Sequence, residues 1–350
     1  MPRRPRDARP DPRFVVRLLA QDAAGAGLLL VATAIALVWA NSAWRHGYES
    51  AAHDVHGVVN DGLMVVFFLV AGAEIKRESG GWRDATLPAV AALGGMVVPA
   101  LLYFAIAGDH GWGVPMATDI AFAVGVLALA GDRVPQALKV FLLTLAVVDD
   151  IGAIVIIAVF YSGSVDAAWL LAAAAALALA ALARNRPFLL AAAGVALWFA
   201  LHHAGVHPTL AGVAIGLLVP VERTPRVEQL FNPVATLFVL PAFALANAGV
   251  RFHADAFLSR TALATAVGLV AGKLLGVTGA VYAATRLRLA SLPPGVRFRH
   301  IPTVGLAAGV GFTVSLFVAN LAFADPSEAR VGILLGSTIA ALAGFISARF

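Results

Sequence analysis

The chain has 350 residues, of which 60% are hydrophobic and 13% charged, and its mean hydropathy is +0.86. A soluble domain carries about 25% charged residues, so a soluble enzyme and a disordered chain are both excluded. Cysteine is absent, which removes disulfide scaffolds, thiolate metal sites and cysteine nucleophiles, and the net charge of +5 shifts the question to where the basic residues sit.

A membrane helix needs about 20 mostly apolar residues. In chain order, apolar stretches at 20–40, 59–76, 86–106, 107–129, 136–161, 166–183, 187–201, 205–220, 229–250, 261–285, 301–323 and 328–348 predict twelve spans. They follow a basic segment, 1–19, and form one transmembrane domain, 20–350. The first stretch is not expected to be a cleaved signal peptide, since no small-residue site precedes a polar mature region. With the amino terminus inside, twenty basic residues fall on the inner side, among them Arg3, Arg4, Arg6, Arg9, Arg83 and Arg133. Only Arg45, Arg251, Arg260 and Arg330 fall outside, and Lys273 lies within a span. This is the positive-inside asymmetry, so the basic character reads as membrane topology and not as a nucleic-acid surface.

Four charged residues lie near the middle of their spans: Asp119 in 107–129, Asp149 and Asp150 in 136–161, and Lys273 in 261–285. Each costs ~2.5–3.5 kcal/mol at the bilayer centre and calls for a reason. A structural ion pair with Lys273 accounts for one aspartate and leaves surplus negative charge. Protons and metal cations are the alternative occupants of such a carboxylate cluster. Asp149 and Asp150 project about 100° apart on a helix, which suggests that one coordinates an ion while the other faces Lys273. A lysine can lose its proton when buried; an arginine cannot.

Around Asp119, Pro115 predicts an interruption just before Thr118, with Thr118 as N-cap of the half-helix that follows. In the eleventh span, Gly305, Gly309 and Gly311 precede Phe312-Thr313-Val314-Ser315 and predict a second break near residue 312. Close helix packing through small residues is the alternative for either motif alone. Spans 4 and 11 run in opposite directions, so two breaks at equal depth imply an inverted-repeat transporter. Asp119 would then face positive helix N-termini and Lys273 negative C-termini.

Six segments carry a family resemblance. They are Asn60-Asp61-Gly62-Leu63-Met64, Ala73-Glu74-Ile75-Lys76-Arg77-Glu78, Ala117-Thr118-Asp119-Ile120-Ala121-Phe122-Ala123, Val147-Val148-Asp149-Asp150-Ile151-Gly152, Gly205-Val206-His207 with Thr209-Leu210-Ala211-Gly212, and Gly272-Lys273. In this order, over residues 14–350, they resemble bacterial sodium/proton antiporters of the NhaA type. The resemblance implies an all-α inner-membrane protein with twelve helices, cytoplasmic termini, and interrupted helices crossing at spans 4 and 11. It implies electrogenic, pH-regulated exchange of sodium or lithium for protons in sodium and pH homeostasis, with no enzymatic residue and no cofactor. Asp150 would be the principal cation ligand, with Asp149 contributing and pairing alternately with Lys273. Thr118 would offer an oxygen, and Asp119 would balance the half-helix ends. Transport of a proton by Lys273 itself stays open.

For pH sensing the resemblance points to Glu74, Glu78 and Glu228 at the cytoplasmic mouth and to His207. Solvated helix ends paired with Lys76 and Arg77, and a packing histidine, are the alternatives. Asp61 with Asn60 reads as an N-cap for span 2. Two departures stand out. The loop at 41–58 is too short for the β-hairpin through which members dimerise, so a homodimer would be weaker or use another surface. Gln229 and Asn232 also stand where some members carry histidines. Partners are thus sodium, lithium, protons and membrane lipid, without nucleic acid. A cation channel and a sodium-coupled symporter are the rivals; an aspartyl protease is disfavoured because Val147-Val148 precedes Asp149 in place of a Gly-x-Gly turn.

Overall fold

The computed structural model describes residues 12–78, 85–130, 134–163 and 165–349. Residues 1–11, and with them Arg3, Arg4, Arg6 and Arg9, lie outside the described residues, as do Arg83 and Arg133. Hydrocarbon offers no partner to a backbone N–H or C=O, so a spanning chain must satisfy them internally. Among the described residues the regular structure is all helical. Among the described residues seven helices are long and apolar enough to cross a membrane, or eight if a pair bent by 50° is one span. Three shorter apolar helices cover Ala24–Ala40, Ala167–Leu182 and Pro187–His203. The protein is a multi-pass membrane protein.

The chain runs α1 (Pro12–Ala40), α2 (Arg45–Gly57), α3 (Met64–Glu78), α4 (Thr86–Ala107), α5 (Ile120–Leu129), α6 (Gln136–Phe160), α7 (Ala167–Leu182), α8 (Pro187–His203) and α9 (Leu210–Leu218). It continues through α10 (Thr224–Val234), α11 (Leu240–Asn247), α12 (Ala254–Phe257), α13 (Arg260–Val267), α14 (Lys273–Arg286), α15 (Ile301–Ala308), α16 (Phe312–Ala322) and α17 (Ser327–Ser347). Three π-helical turns, Val58–Leu63, Ala235–Val239 and Gly268–Gly272, join α2 to α3, α10 to α11 and α13 to α14 without ending the helix. Such turns admit an extra residue and release carbonyls from the ladder.

The first π turn corrects two expectations. Asn60 and Asp61 lie inside it, within one helical run from Arg45 to Glu78, so neither caps a helix. The opened turn instead leaves the Asp61 carbonyl to accept from Trp198 Nε1 at 2.7 Å. Residues 41–58, expected as a loop, are mostly α2. That helix is anchored by Tyr48, whose hydroxyl donates to Leu245 O (2.9 Å) and accepts from Gly249 N (3.0 Å).

The helices sort into two bundles. In one, α3 packs on α9 and α10, α1 on α11, and α7 on α8. In the other, α4 packs on α14 and α6, and α17 on α13 and α15. The bundles meet where α1 touches α5, α3 touches α6 and α11 touches α16. Small residues allow the closest approaches: a Cβ at Gly272 would lie 2.7 Å from Pro99 Cα, so only glycine lets the third π turn lie against α4.

Candidate functional site

The site begins with two openings in the backbone. A 3-10 segment, His110–Met116, holds Pro115 and ends in extended residues 117–119 before α5 starts. The segment is seated by Tyr161, whose hydroxyl accepts from Gly113 N at 3.1 Å and donates to His110 O at 2.7 Å. On the other strand of the crossing, α15 ends at Ala308 and α16 begins at Phe312. A Cβ on Gly311 would come within 2.9 Å of Ala117 O, so the missing side chain is what lets the openings touch. There the Asp119 N–H donates to Val310 O at 2.6 Å.

Asp119, and not Thr118, is the N-cap of α5, accepting from Phe122 N at 3.3 Å. The reason is local: Asp119 is the last non-helical residue, and the Thr118 hydroxyl is turned towards other partners. The second Asp119 oxygen accepts from Thr313 N (3.2 Å) and from Thr313 Oγ1 (2.5 Å) at the start of α16. One buried carboxylate therefore sits at two helix N-termini, whose dipoles place partial positive charge around it. Ser315 Oγ adds a bond across the crossing, donating to Val114 O at 2.7 Å.

Beside it lies a buried ion pair. Lys273 Nζ donates to Asp149 Oδ2 at 2.5 Å and to Thr118 Oγ1 at 3.0 Å, and Lys273 and Asp149 are 0% and 1% exposed. The Thr118 hydroxyl has one proton and two acceptors in reach, Asp149 Oδ2 at 2.6 Å and Ala308 O, the last carbonyl of α15, at 2.8 Å. Asp149 Oδ1 is buried without a partner among the described residues. Lys273 follows directly on the third π turn, which aims it at α6. Asp150, on the next face of α6, is half-buried and makes no side-chain hydrogen bond to a described residue. Asp149 and Thr118 are thus brought together by the ammonium, with Asp150 standing apart.

The expected pH-sensing residues fall in two places. Arg77 at the end of α3 donates to Glu228 on α10 and to Glu78 (3.3 Å), with Glu74 at 3.8 Å. Glu228 is 4% exposed, and its Oε1 finds no partner among the described residues. His207 is elsewhere, bonded to Thr209 Oγ1 at 2.7 Å and lying 3.5 Å from Asp61 Oδ1, against the Phe317 ring. Sequence reading did not single out Thr313, Ser315 or the central place of Arg77. The polar pair after the glycine cluster was a signal for the first two; nothing local links Arg77 to a glutamate 151 positions on. Among the described residues no three His, Cys, Asp or Glu side chains form a metal-holding group. One carboxylate and one hydroxyl on a buried ammonium, with a second carboxylate on the next residue of α6, instead suit a monovalent cation or protons, in turn.

Comparison with known proteins bears on that chemistry. The profile of a family described as Na+/H+ antiporter 1 matches residues 16–347. The Na(+)/H(+) antiporter NhaA of Acidovorax sp. (strain JS42) is 46% identical, the match covering 94% of this chain and 90% of that protein. Its counterpart from Vibrio cholerae serotype O1 (strain M66-2) is 43% identical over 93% of this chain and 94% of that protein. The one from Nocardia farcinica (strain IFM 10152) is also 43% identical, over 94% and 89%.

Proposed function

The chain belongs to the Na+/H+ antiporter 1 family, and from that premise we propose that it exchanges sodium or lithium for protons across the bacterial plasma membrane, electrogenically and under pH control. The observation that carries this reading is the fully buried contact of Lys273 with Asp149 and Thr118 beside two opened helices. In the sodium-free state the ammonium neutralises Asp149. A sodium ion arriving at Asp150 takes the oxygens of Asp149 and Thr118 in place of the ammonium. Asp119 stays ionised between its two helix N-termini and keeps the crossing in place. Cation and protons compete for the same carboxylates, so the site crosses occupied by one or the other. An empty site would carry surplus negative charge through hydrocarbon, which discourages leak. Each net charge moved couples to the potential at ~2.3 kcal/mol per 100 mV, so an interior-negative membrane drives sodium out.

The long and bent helices, the three shorter ones and α9 together make twelve spans, with both termini cytoplasmic on the strength of the basic asymmetry. Spans 4 and 11 are the interrupted pair of an inverted repeat. Glu74, Glu78 and Glu228 around Arg77 are the groups for pH control at the cytoplasmic mouth. A homodimer, if formed, uses a surface other than residues 41–58.

The test uses inverted vesicles from an antiporter-deficient host carrying a respiratory proton gradient. Sodium and lithium, but not potassium, are expected to collapse it, and Asp150→Ala to abolish the effect. Retained exchange at normal apparent affinity in Asp150→Ala would overturn the ligand assignment.

A further inference from the structure

Helix α16 carries more than the Asp119 contacts. Phe317 and Asn320, three residues apart, share one face of it. Phe317, 1% exposed, is set between rings of the other bundle: His207 at 4.9 Å, Phe68 at 5.3 Å and Phe243 at 6.3 Å between centroids. One turn further on, Asn320 Nδ2 donates to Asn247 Oδ1 of α11 at 2.7 Å, across the boundary between the bundles. Thr313, Phe317 and Asn320 thus follow one another over about 10 Å of helix from the ion site towards the surface. That surface carries the loops joined by Asn41 to Val250 and by Gly163 to Gly205.

Asn320 does not act alone. Arg330 of α17 donates to its Oδ1 at 2.8 Å. A guanidinium can only donate, so it fixes the Asn320 oxygen towards itself and the Asn320 amide towards α11. Behind it Asn247 and Asn60 pair in both directions, Asn247 Nδ2 donating to Asn60 Oδ1 at 2.9 Å and Asn60 Nδ2 to Asn247 Oδ1 at 3.3 Å, and Asn60 Nδ2 also meets His56 Nε2 at 2.8 Å. Asn247 and Asn60 are 0% and 3% exposed, so loss of the Asn320 donor leaves the buried Asn247 Oδ1 with only the longer bond from Asn60. The step from Arg330 through Asn320 to Asn247 is thus oriented from one bundle and ends in the other.

We propose that Asn320 and Asn247, oriented by Arg330, are a clasp that holds the two bundles together on this face while the ion site is sealed from it, and that the clasp parts when the site opens there. Phe317 is the apolar plug beneath it. The two amides are positioning residues: they touch no ion but set which side the Asp149–Asp150 centre can reach. This inference rests on the antiport reading for its purpose, though its geometry does not.

The chain has no cysteine, so Ala51→Cys on α2 and Ala324→Cys between α16 and α17, both exposed, can carry spin labels without removing native thiols. Pulsed electron–electron resonance then reads the distance between the bundles on this face in reconstituted protein. Asn320→Leu and Asn320→Asp are both expected to add a second, longer-distance population. The aspartate is the decisive variant, because it keeps, and strengthens, a partner for Arg330 but cannot donate to Asn247. If Leu shifts the distances and Asp does not, Asn320 merely braces Arg330 and the clasp is overturned. Unchanged distances in both variants overturn it as well. Loss of sodium-driven gradient collapse in the labelled parent, with the distances behaving as expected, would count against the antiport reading and leave the clasp standing.

Discussion

Helices α7 and α8 meet through Ala173, Ala176 and Ala180 set against Leu190, Leu197 and Ala200, whereas α5 and α16 meet through an aspartate, a threonine and bare backbone. Both regions read as apolar in sequence. In the hairpin the backbone bonds close within each helix and the ends are finished locally: Asp166 caps α7 by accepting from Ala168 N (2.8 Å) and Trp169 N (3.2 Å). At the crossing the helices are interrupted, and their free N–H and C=O groups are met by Asp119, Thr118 and Ser315. Charge is tolerable inside the membrane where opened backbone provides dipoles for it, and the alanine hairpin has no such place.

The sharpest way to break this contrast is to strand a charge at the crossing. Lys273→Ala leaves Asp149 fully buried without its cation, a loss of about 3–5 kcal/mol on the pattern of buried pairs. Thermal unfolding in detergent checks it, and the double variant Lys273→Ala/Asp149→Asn is expected to recover most of the loss. A single variant no less stable than the parent would mean that the pair is not compensating charge. Next comes Thr313→Val, which removes the hydroxyl bonded to Asp119 and is expected to cost about 1.5–3 kcal/mol, as for a hydrogen bond to a charged group. Transport should fall with it, because α16 loses its register on α5.

In the hairpin the effects should be smaller and leave transport intact. Ala176→Leu overpacks the contact and is expected to destabilise by about 1–3 kcal/mol with sodium affinity unchanged in the vesicle assay. Asp166→Ala, which removes only a cap, should cost about 0.5–2 kcal/mol. A transport defect in either hairpin variant larger than that of Thr313→Val would erase the distinction between the two regions.

Much of the crossing was legible before any coordinates. Asp119, Asp149, Asp150 and Lys273 are conspicuous because a charge inside an apolar run is costly, and Pro115 with the glycines at 305, 309 and 311 marks where a helix is hard to continue. The misreadings share a cause. Thr118 and Asp119 are both good capping residues, and the choice between them depends on which one has a competing partner in space: Thr118 has Asp149 and Ala308. Asn60-Asp61 looks like a helix start, but π turns leave no trace in composition, so the sequence could not show the helix running through. Residues 41–58 are polar enough to read as loop; distant partners, with Tyr48 lodged under α11 and Glu49 paired with Arg251, hold most of them as a helix.

Hydropathy and the cost of buried charge are properties of short segments, and they were enough to determine a helical membrane protein and to single out Asp119, Asp149, Asp150 and Lys273 within its apolar stretches. Which of two adjacent aspartates meets Lys273, which residue caps α5, that Arg77 gathers glutamates from two helices, and that Asn320 reaches Asn247 across the bundle boundary are facts about partners from 73 to 194 positions apart. They were decided only when the helices packed, because a hydrogen bond is specified by the position of both its ends and a local pattern supplies only one.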